Sequence, residues 1–433
     1  MSPSAIGFIG IGILLLVIFA RVPIGGGMAL VGFLGFALVK GLDPALGLLK
    51  QVPYQIFAQQ SLSVVPLFIL MGAFAFAAGL SDDLYRAVYK WLGHLRGGLA
   101  MATVGACAFF AAICGSSVAT AATMATVALP EMKKYKYDPA LATGSIAAGG
   151  TMGILIPPSV ILIIYGIITE QSIGKLFLAG FLPGILQAIF YIFTIAIVVR
   201  INPGTGPRGD KTSFRDKAKT LIKVWEVLVL FIFVIGGIYA GVFTPTEAAG
   251  VGAFGAFFFA LLRRRLPWEK FKDSVVDATK NTGMIFIILM GAMILGYFLS
   301  VTRLTFEMGS FVTQLAINRY VILILILIVL ILLGCVMDSM AIVILTVPIF
   351  FPVIMRLHFD PIWFGILVTR VTEMGLITPP VGLNIYIIKG ISQAPMGTVF
   401  RGVIPFIIAD FFHVALLMAF PKISLILPAM MKG

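Results

Sequence analysis

The stretch Thr151-Met152-Gly153-Ile154-Leu155-Ile156-Pro157-Pro158-Ser159 lies inside a long apolar run. It is answered by Glu373-Met374-Gly375-Leu376-Ile377-Thr378-Pro379-Pro380-Val381. Proline has no N–H and its ring clashes with the preceding turn, so a double proline interrupts a helix. The carbonyls of Gly153 and Ile154, and those of Gly375 and Leu376, are expected to lose their intrahelical partners. Lipid cannot satisfy such groups, so they must face protein, ions or water. A broken helix that occurs twice, in corresponding places, points to a transport site near the membrane midplane.

The surrounding composition agrees. The 433 residues are 60% hydrophobic and 11% charged, with a mean hydropathy of +1.09. Soluble domains are nearer half apolar and a quarter charged. The apolar runs are long and continuous rather than alternating, which excludes a β-barrel. The chain reads as an all-α polytopic membrane protein with roughly ten to twelve crossings. The net charge of +13 does not indicate nucleic acid, because Lys and Arg cluster in short loops between spans. Cys107, Cys114 and Cys335 lie in apolar segments without CxxC spacing, which argues against a metal or disulfide framework. His94, His358 and His413 are scattered. No HExxH, GxSxG or P-loop is present, so neither a membrane-embedded enzyme nor an ATP-driven pump is indicated. The first run, Ala5–Ala20, lacks a basic flank and reads as a span, not a cleaved leader.

Four regions follow. Residues 1–61 hold scaffold spans linked at Arg21-Val22-Pro23, then a connector, Gly41–Ser61, with Pro44 and Pro53 as breakers. Residues 62–200 form a first repeat. It has a span from Val64, an interfacial helix at Ser81–Trp91, a re-entrant hairpin over 97–130 with its tip at Gly115-Ser116-Ser117, a broken helix over 139–169, and a span to Val199. Residues 201–280 hold a basic loop, Asn202–Lys223, and central scaffold spans. Residues 281–433 repeat the plan, with an interfacial stretch at Val301–Ile317, a hairpin over 320–355, a broken helix over 361–390, and a closing span at Val403–Phe420. The internal match is direct: Asp138-Pro139 recurs as Asp360-Pro361, an offset of 222 residues. In the same register Pro130 falls on Pro352, Gly153 on Gly375, Gly180 on Gly402, Ser116 on Asp338 and Ser117 on Ser339. An odd number of crossings separates the halves, which makes the repeat inverted. With the loop around Arg208–Lys223 in the cytoplasm, the clusters at Arg21, Arg86–Arg96, Lys133–Lys136, Arg263–Lys272 and Lys389–Arg401 also fall inside, and both termini outside.

These residues resemble the large membrane subunit of tripartite ATP-independent periplasmic (TRAP) transporters. The resemblance rests on Arg21–Gly25, Gly115-Ser116-Ser117, Gly153–Ser159, Gly241–Ala249, the Gly334…Asp338 tip and Gly375–Asn384, and covers essentially the whole chain. It implies an elevator-type secondary transporter in a bacterial inner membrane. It further implies sodium-coupled import of an organic acid, such as a C4-dicarboxylate or sialic acid, with a small membrane subunit and a periplasmic substrate-binding protein. A stand-alone sodium symporter for citrate or divalent anions, of related architecture, is the alternative. Arg370 has no place in the family pattern.

A hard cation such as Na⁺ wants oxygen ligands. The candidates are Ser116, Ser117, Thr151, Gly153, Ile154, Gly334, Asp338, Gly375, Thr378 and Asn384. An anionic substrate should be met by the positive ends of half-helices. Ser116, Ser117, Gly149, Gly150, Arg370 and Glu373 are the candidates there. Arg370 and Glu373 share one helical face and bind substrate or pair with each other. Asp338 is expected to be a buried carboxylate at the second tip, stabilised by a bound cation; a capping carboxylate at a helix N-terminus is the alternative, and the two roles are compatible.

Overall fold

The computed structural model describes residues 2–20, 22–314 and 317–431, and it is helical, with no strand among them. Helices α1 (Pro3–Phe19) and α2 (Ile24–Lys40) open the chain; Arg21 in their link lies outside the described residues. The expected connector is itself a helix, α3 (Leu42–Ala58). Pro44 falls in its first turn, where backbone N–H groups need no helical partner. Ala45, Leu48, Val52 and Ile56 recur at helical spacing and give α3 one buried face.

The first repeat begins with α4 (Val64–Ala77) and α5 (Leu80–Leu92), joined at Gly79, whose φ of 71° is left-handed. Next come α6 (Gly98–Cys114) and α7 (Ser117–Lys134). They pack against each other, so they form a hairpin rather than one kinked helix. Then α8 (Pro139–Gly150) ends in a 3₁₀ turn at Thr151–Ile154. After the Pro-Pro step α9 (Val160–Ile168) restarts, its N-cap Ser159 accepting from the Leu162 N–H. The 29-residue α10 (Ile173–Ile201) completes the half.

The middle of the chain holds α11 (Phe214–Lys223), α12 (Trp225–Phe231), a π turn at Ile232–Gly236, the short α13 (Gly237–Tyr239), and α14 (Pro245–Leu262). The basic segment expected as a loop is therefore helical in its second half. Helix α14 starts with a capping box in which Thr244 and Glu247 bond reciprocally. The 34 residues of α15 (Trp268–Val301) reach about 51 Å at 1.5 Å each, well beyond a 30 Å core.

The element order then repeats: α16 (Leu304–Gln314), the hairpin α17 (Arg319–Gly334) with α18 (Ser339–Arg356), the broken pair α19 (Pro361–Gly375) and α20 (Leu383–Ser392), and α21 (Met396–Ala419). Part of the expected interfacial stretch, Leu315-Ala316, lies outside the described residues. Helices α7 and α18 run on past Pro130 and Pro352 to 18 residues each, longer than the sequence spacing predicts. A further helix, α22 (Lys422–Met430), follows α21 and packs back on α10. Pro421 ends α21, because the residue before a proline is pushed out of helical geometry.

Among the described residues, six helices are long and apolar enough to cross a bilayer, and α11 with the segment Trp225–Tyr239 makes a seventh candidate bent by 52°. The chain is a multi-pass membrane protein. Helix α2 lies along α15, and α4 along α14. At the centre α8 lies along α21, with Gly144 backbone to backbone on Gly402, so closely that any side chain would collide. Gly144 and Gly402 put the helix that leads into the first break against α21 of the other repeat.

The loops of the first repeat meet at one end of the molecule. Gly97 N–H donates to the Gly206 carbonyl at 2.8 Å, Gly209 N–H to Gly93 at 2.8 Å, and Asp138 N–H to Thr205 at 2.9 Å. Arg263 joins Asp83 at the start of α5 to Glu226 at the start of α12. Several of the basic clusters expected on one side of a membrane are thus neighbours in space.

Candidate functional site

Each hairpin tip rests on the break of its own repeat. At the first, Ser116 caps α7, its Oγ accepting from Ala119 N–H at 3.3 Å. A Cβ placed on Gly153 would stand 3.4 Å from both the Ser116 carbonyl and Thr120 Oγ1. At the second, Gly382 N–H donates to the Cys335 carbonyl at 3.0 Å, and the Cys335 thiol approaches the Pro379 carbonyl at 3.3 Å. Gly334 and Gly375 meet without side chains; a Cβ on Gly334 would be 2.9 Å from the Gly375 Cα. Both prolines of each break are joined by a cis bond.

The two halves are then tied across. Ser117, the first residue of α7, donates its hydroxyl to Glu373 Oε2 at 2.5 Å. Glu373 is completely buried at the end of α19. Ser339, which matches Ser117 in the repeat register, faces the same carboxylate without closing a hydrogen bond, and Asp338 is within electrostatic range of it. Asn384 of α20 reaches Ala147 of α8 at 3.5 Å, at the outer limit of a hydrogen bond. Four buried oxygens around this point have no hydrogen-bond partner among the described residues: Glu373 Oε1, Asn384 Oδ1, Ser339 Oγ and Thr120 Oγ1. Buried polar atoms are nearly always paired, so orphans gathered near two tips and two breaks mark a place built for something else.

Several of the residues singled out by the sequence change role. Asp338 is exposed rather than buried. Its two carboxylate oxygens accept from Met340 N–H at 3.3 Å and Ala341 N–H at 3.2 Å, so it is the N-cap of α18. A carboxylate at a helix start satisfies orphan donors, a role compatible with holding a cation through its remaining lone pairs. The carbonyls of Gly375 and Leu376 are not free. They accept from Thr378 N–H at 3.0 Å and Asn384 N–H at 3.1 Å, because the chain turns back on itself after the break. Thr378 Oγ1 is bonded within its own turn, to Met374. Gly149 and Gly150 are packed against Cys107 and Ala121 of the first hairpin, where a Cβ would stand 2.8 and 2.7 Å away. That is close packing of helix on hairpin.

Arg370 does not pair with Glu373. Its guanidinium forms an ion pair with Asp410 of α21, both fully buried. Its Nε donates to His413 Nδ1 at 3.2 Å, and a terminal N–H points to the Tyr191 hydroxyl at 3.4 Å. Tyr191 in turn meets Thr151 at 3.1 Å and Gln187 at 3.2 Å. Thr151 thus turns toward α10, away from the tip. In the repeat register Tyr191 corresponds to His413, so matching helices grip one arginine from two sides. Asp410, Tyr191 and Gln187 are not among the residues that spacing and composition single out. A lone acid in the last apolar span is the available signal, since intramembrane charges of opposite sign tend to pair.

The chain matches, over residues 11–423, the family described as tripartite ATP-independent periplasmic transporter, DctM component. It is 36% identical over 369 residues to the C4-dicarboxylate TRAP transporter large permease protein DctM of Pseudomonas aeruginosa, covering 85% of this chain and 86% of that one. It is 32% identical over 375 residues to the sialic acid TRAP transporter large permease protein SiaM of Vibrio cholerae, covering 86% and 87%. Among solved structures it resembles the YdaH transporter of Alcanivorax borkumensis, with a TM-score of 0.67 at 13% identity over 88% of this chain and 90% of that one. That last likeness concerns the fold alone.

Proposed function

Since this chain belongs to the family of TRAP transporter large membrane subunits, we propose that it imports a small organic acid by sodium-coupled, elevator-type movement. Proteins of this family are transport subunits rather than enzymes, and they work with a substrate-binding protein and usually a small membrane subunit. In this reading both hairpins are re-entrant, the repeat is inverted, and the basic loops are cytoplasmic. The relatives' names support a carboxylate such as a C4-dicarboxylate or a sialic acid.

The observation that carries the proposal is the buried Glu373, bonded to Ser117 across the repeat boundary. A carboxylate removed from water requires a counter-charge or hydrogen bonds. Its second oxygen has no partner among the described residues, and the orphaned neighbours are all oxygens, the donor set that a hard monovalent cation takes. Na⁺ here is cargo. Arriving, it would draw Glu373, Ser339 and Asn384 together and close both tips over the breaks. That would make cation arrival a condition for moving the hairpins as one body.

The test is uptake of a carboxylate into proteoliposomes holding the complete complex, with binding protein outside, as a function of Na⁺ concentration. Glu373→Gln keeps the shape and removes the charge. Half-saturation should move at least about tenfold upward, the equivalent of about 1.4 kcal/mol. A sodium curve that overlays the wild type would remove Glu373 from the coupling site.

A further inference from the structure

Helix α11 has an unusual surface. None of its ten residues is buried. At 100° per residue, Phe214, Ala218, Leu221 and Ile222 fall in one arc of about 100°. Phe214 is 76% exposed and Ile222 70%, and Trp225 just beyond the helix is also exposed. The remaining circumference carries Arg215, Lys217, Lys219 and Lys223 around one acid, Asp216, and none of the four cations enters an ion pair among the described residues. Over residues 202–223 there are six basic side chains and two acidic ones. One of those acids, Asp210, is already bonded to the Tyr135 hydroxyl at 2.6 Å.

The segment before α11 is ordered, not slack. Besides the three backbone bonds that lace it to residues 93–97 and 138, Thr212 Oγ1 donates to the Lys90 carbonyl at 2.8 Å. Phe214 stacks edge-on against Trp91 at 6.4 Å, and the Lys217 ammonium stands over the same ring at 5.6 Å. Helix α11 is therefore held along α5, at the end of the molecule where the basic loops gather. It leaves the following span at 52° and does not continue it.

We propose that α11 is a docking surface for anionic phospholipid headgroups, lying in the membrane interface with its Phe214–Leu221–Ile222 face in the acyl boundary. A helix with one apolar arc and a lysine-rich opposite face has this fate in water next to a bilayer. Arg215 and Lys217 flank the apolar arc, from which long side chains can reach up to phosphate while their stems stay in hydrocarbon. The charge surplus selects acidic over zwitterionic lipid. An acidic segment of a partner subunit would share the electrostatics but would leave the apolar arc uncovered.

The experiment uses the complete chain, with and without the small subunit, in a background lacking Cys107, Cys114 and Cys335. Ile222→Cys carries an environment-sensitive fluorophore, and the complex sits in nanodiscs of phosphatidylcholine alone or mixed with phosphatidylglycerol. Emission should shift to the blue with phosphatidylglycerol, and high salt should weaken the shift. The combined K217Q, K219Q and K223Q variant should lose the lipid-dependent shift, since three fewer charges weaken association roughly a hundredfold. The same three positions changed to Arg should keep it. Emission that is water-like in both lipids would overturn the proposal. So would a blue shift that follows addition of the small subunit whatever the lipid, because the face would then be a protein interface. The readout is independent of transport, so it stands apart from the sodium reading of the site.

Discussion

Removing the Asp410 carboxylate should damage this protein more than removing both partners of its ion pair. Arg370 is fully buried, with Asp410 as its ionic partner and His413 and Tyr191 as neutral neighbours. Asp410→Ala leaves a guanidinium in the protein interior without its ion-pair partner, with only the more distant Glu373 carboxylate in electrostatic range, at a cost on the order of 3–5 kcal/mol. Arg370→Met with Asp410→Leu replaces the pair by apolar side chains of similar bulk. Such replacements are neutral or stabilising by about 1–4 kcal/mol in known cases, so the double variant should recover most of the loss. Tyr191→Phe removes a hydroxyl shared by Thr151, Gln187 and Arg370, and should cost about 1–3 kcal/mol through the groups it leaves unpaired. The assay is thermal unfolding of the purified complex in one detergent, followed by loss of the monodisperse peak. If Asp410→Ala unfolds with the wild type, or if the double variant is as poor as the sum of the single ones, the pair does not hold α19 to α21 and the reasoning is wrong.

Asp338→Asn should leave stability within a few tenths of a kcal/mol, because asparagine caps a helix about as well as aspartate, whereas Asp338→Ala should lose about 1 kcal/mol in the same melt. Gly334→Val should prevent α17 from seating on Gly375 and abolish the folded peak, since its Cβ would meet backbone at 2.9 Å. Replacing Pro157-Pro158 or Pro379-Pro380 by alanines should restore continuous helix, leave insertion intact and eliminate uptake; normal uptake would detach the breaks from the site. In a cysteine-free background, an impermeant thiol reagent applied from outside should modify a cysteine at 356 but not one at 133, and the opposite pattern would reverse the proposed topology.

The repeated double proline is legible because proline's lost N–H is a local property of the chain. The same holds for the tips: Ser116 and Asp338 sit where a polar turn interrupts apolar runs, and both are helix caps. Helix α3 is hidden behind Pro44 and Pro53, which look like breakers, although a proline in the first turn breaks nothing. At the second break the spacing of the prolines overcounts the freed carbonyls. Whether a carbonyl stays open depends on where the chain goes next, and Gly382 folds it back so that Asn384 reaches Leu376. The partner of Arg370 is out of reach for a different reason. Spacing along one helix brings Glu373 to mind, while tertiary packing brings Asp410 from another helix, about 40 residues on. Ser117 with Glu373, 256 residues apart, is of the same kind.

That separation also sets an order of events at the ribosome. Chain growth proceeds at roughly 5–20 residues per second, so Arg370 is made about 2–8 s before Asp410. During that interval α19, 15 residues long and carrying Arg370 inside it and Glu373 near its end, is a poor candidate for the bilayer, since an arginine at a helix centre opposes insertion by about 2.5–3.5 kcal/mol. Tyr191 and Ser117 have already been made and offer neutral hydroxyls; the ion-pair partner of Arg370 comes only with α21. The second broken helix therefore waits beside the first repeat until the last long helix arrives. A chain released before Met396 would present an unpaired arginine to the membrane quality-control machinery, whereas one released after Ala419 would not.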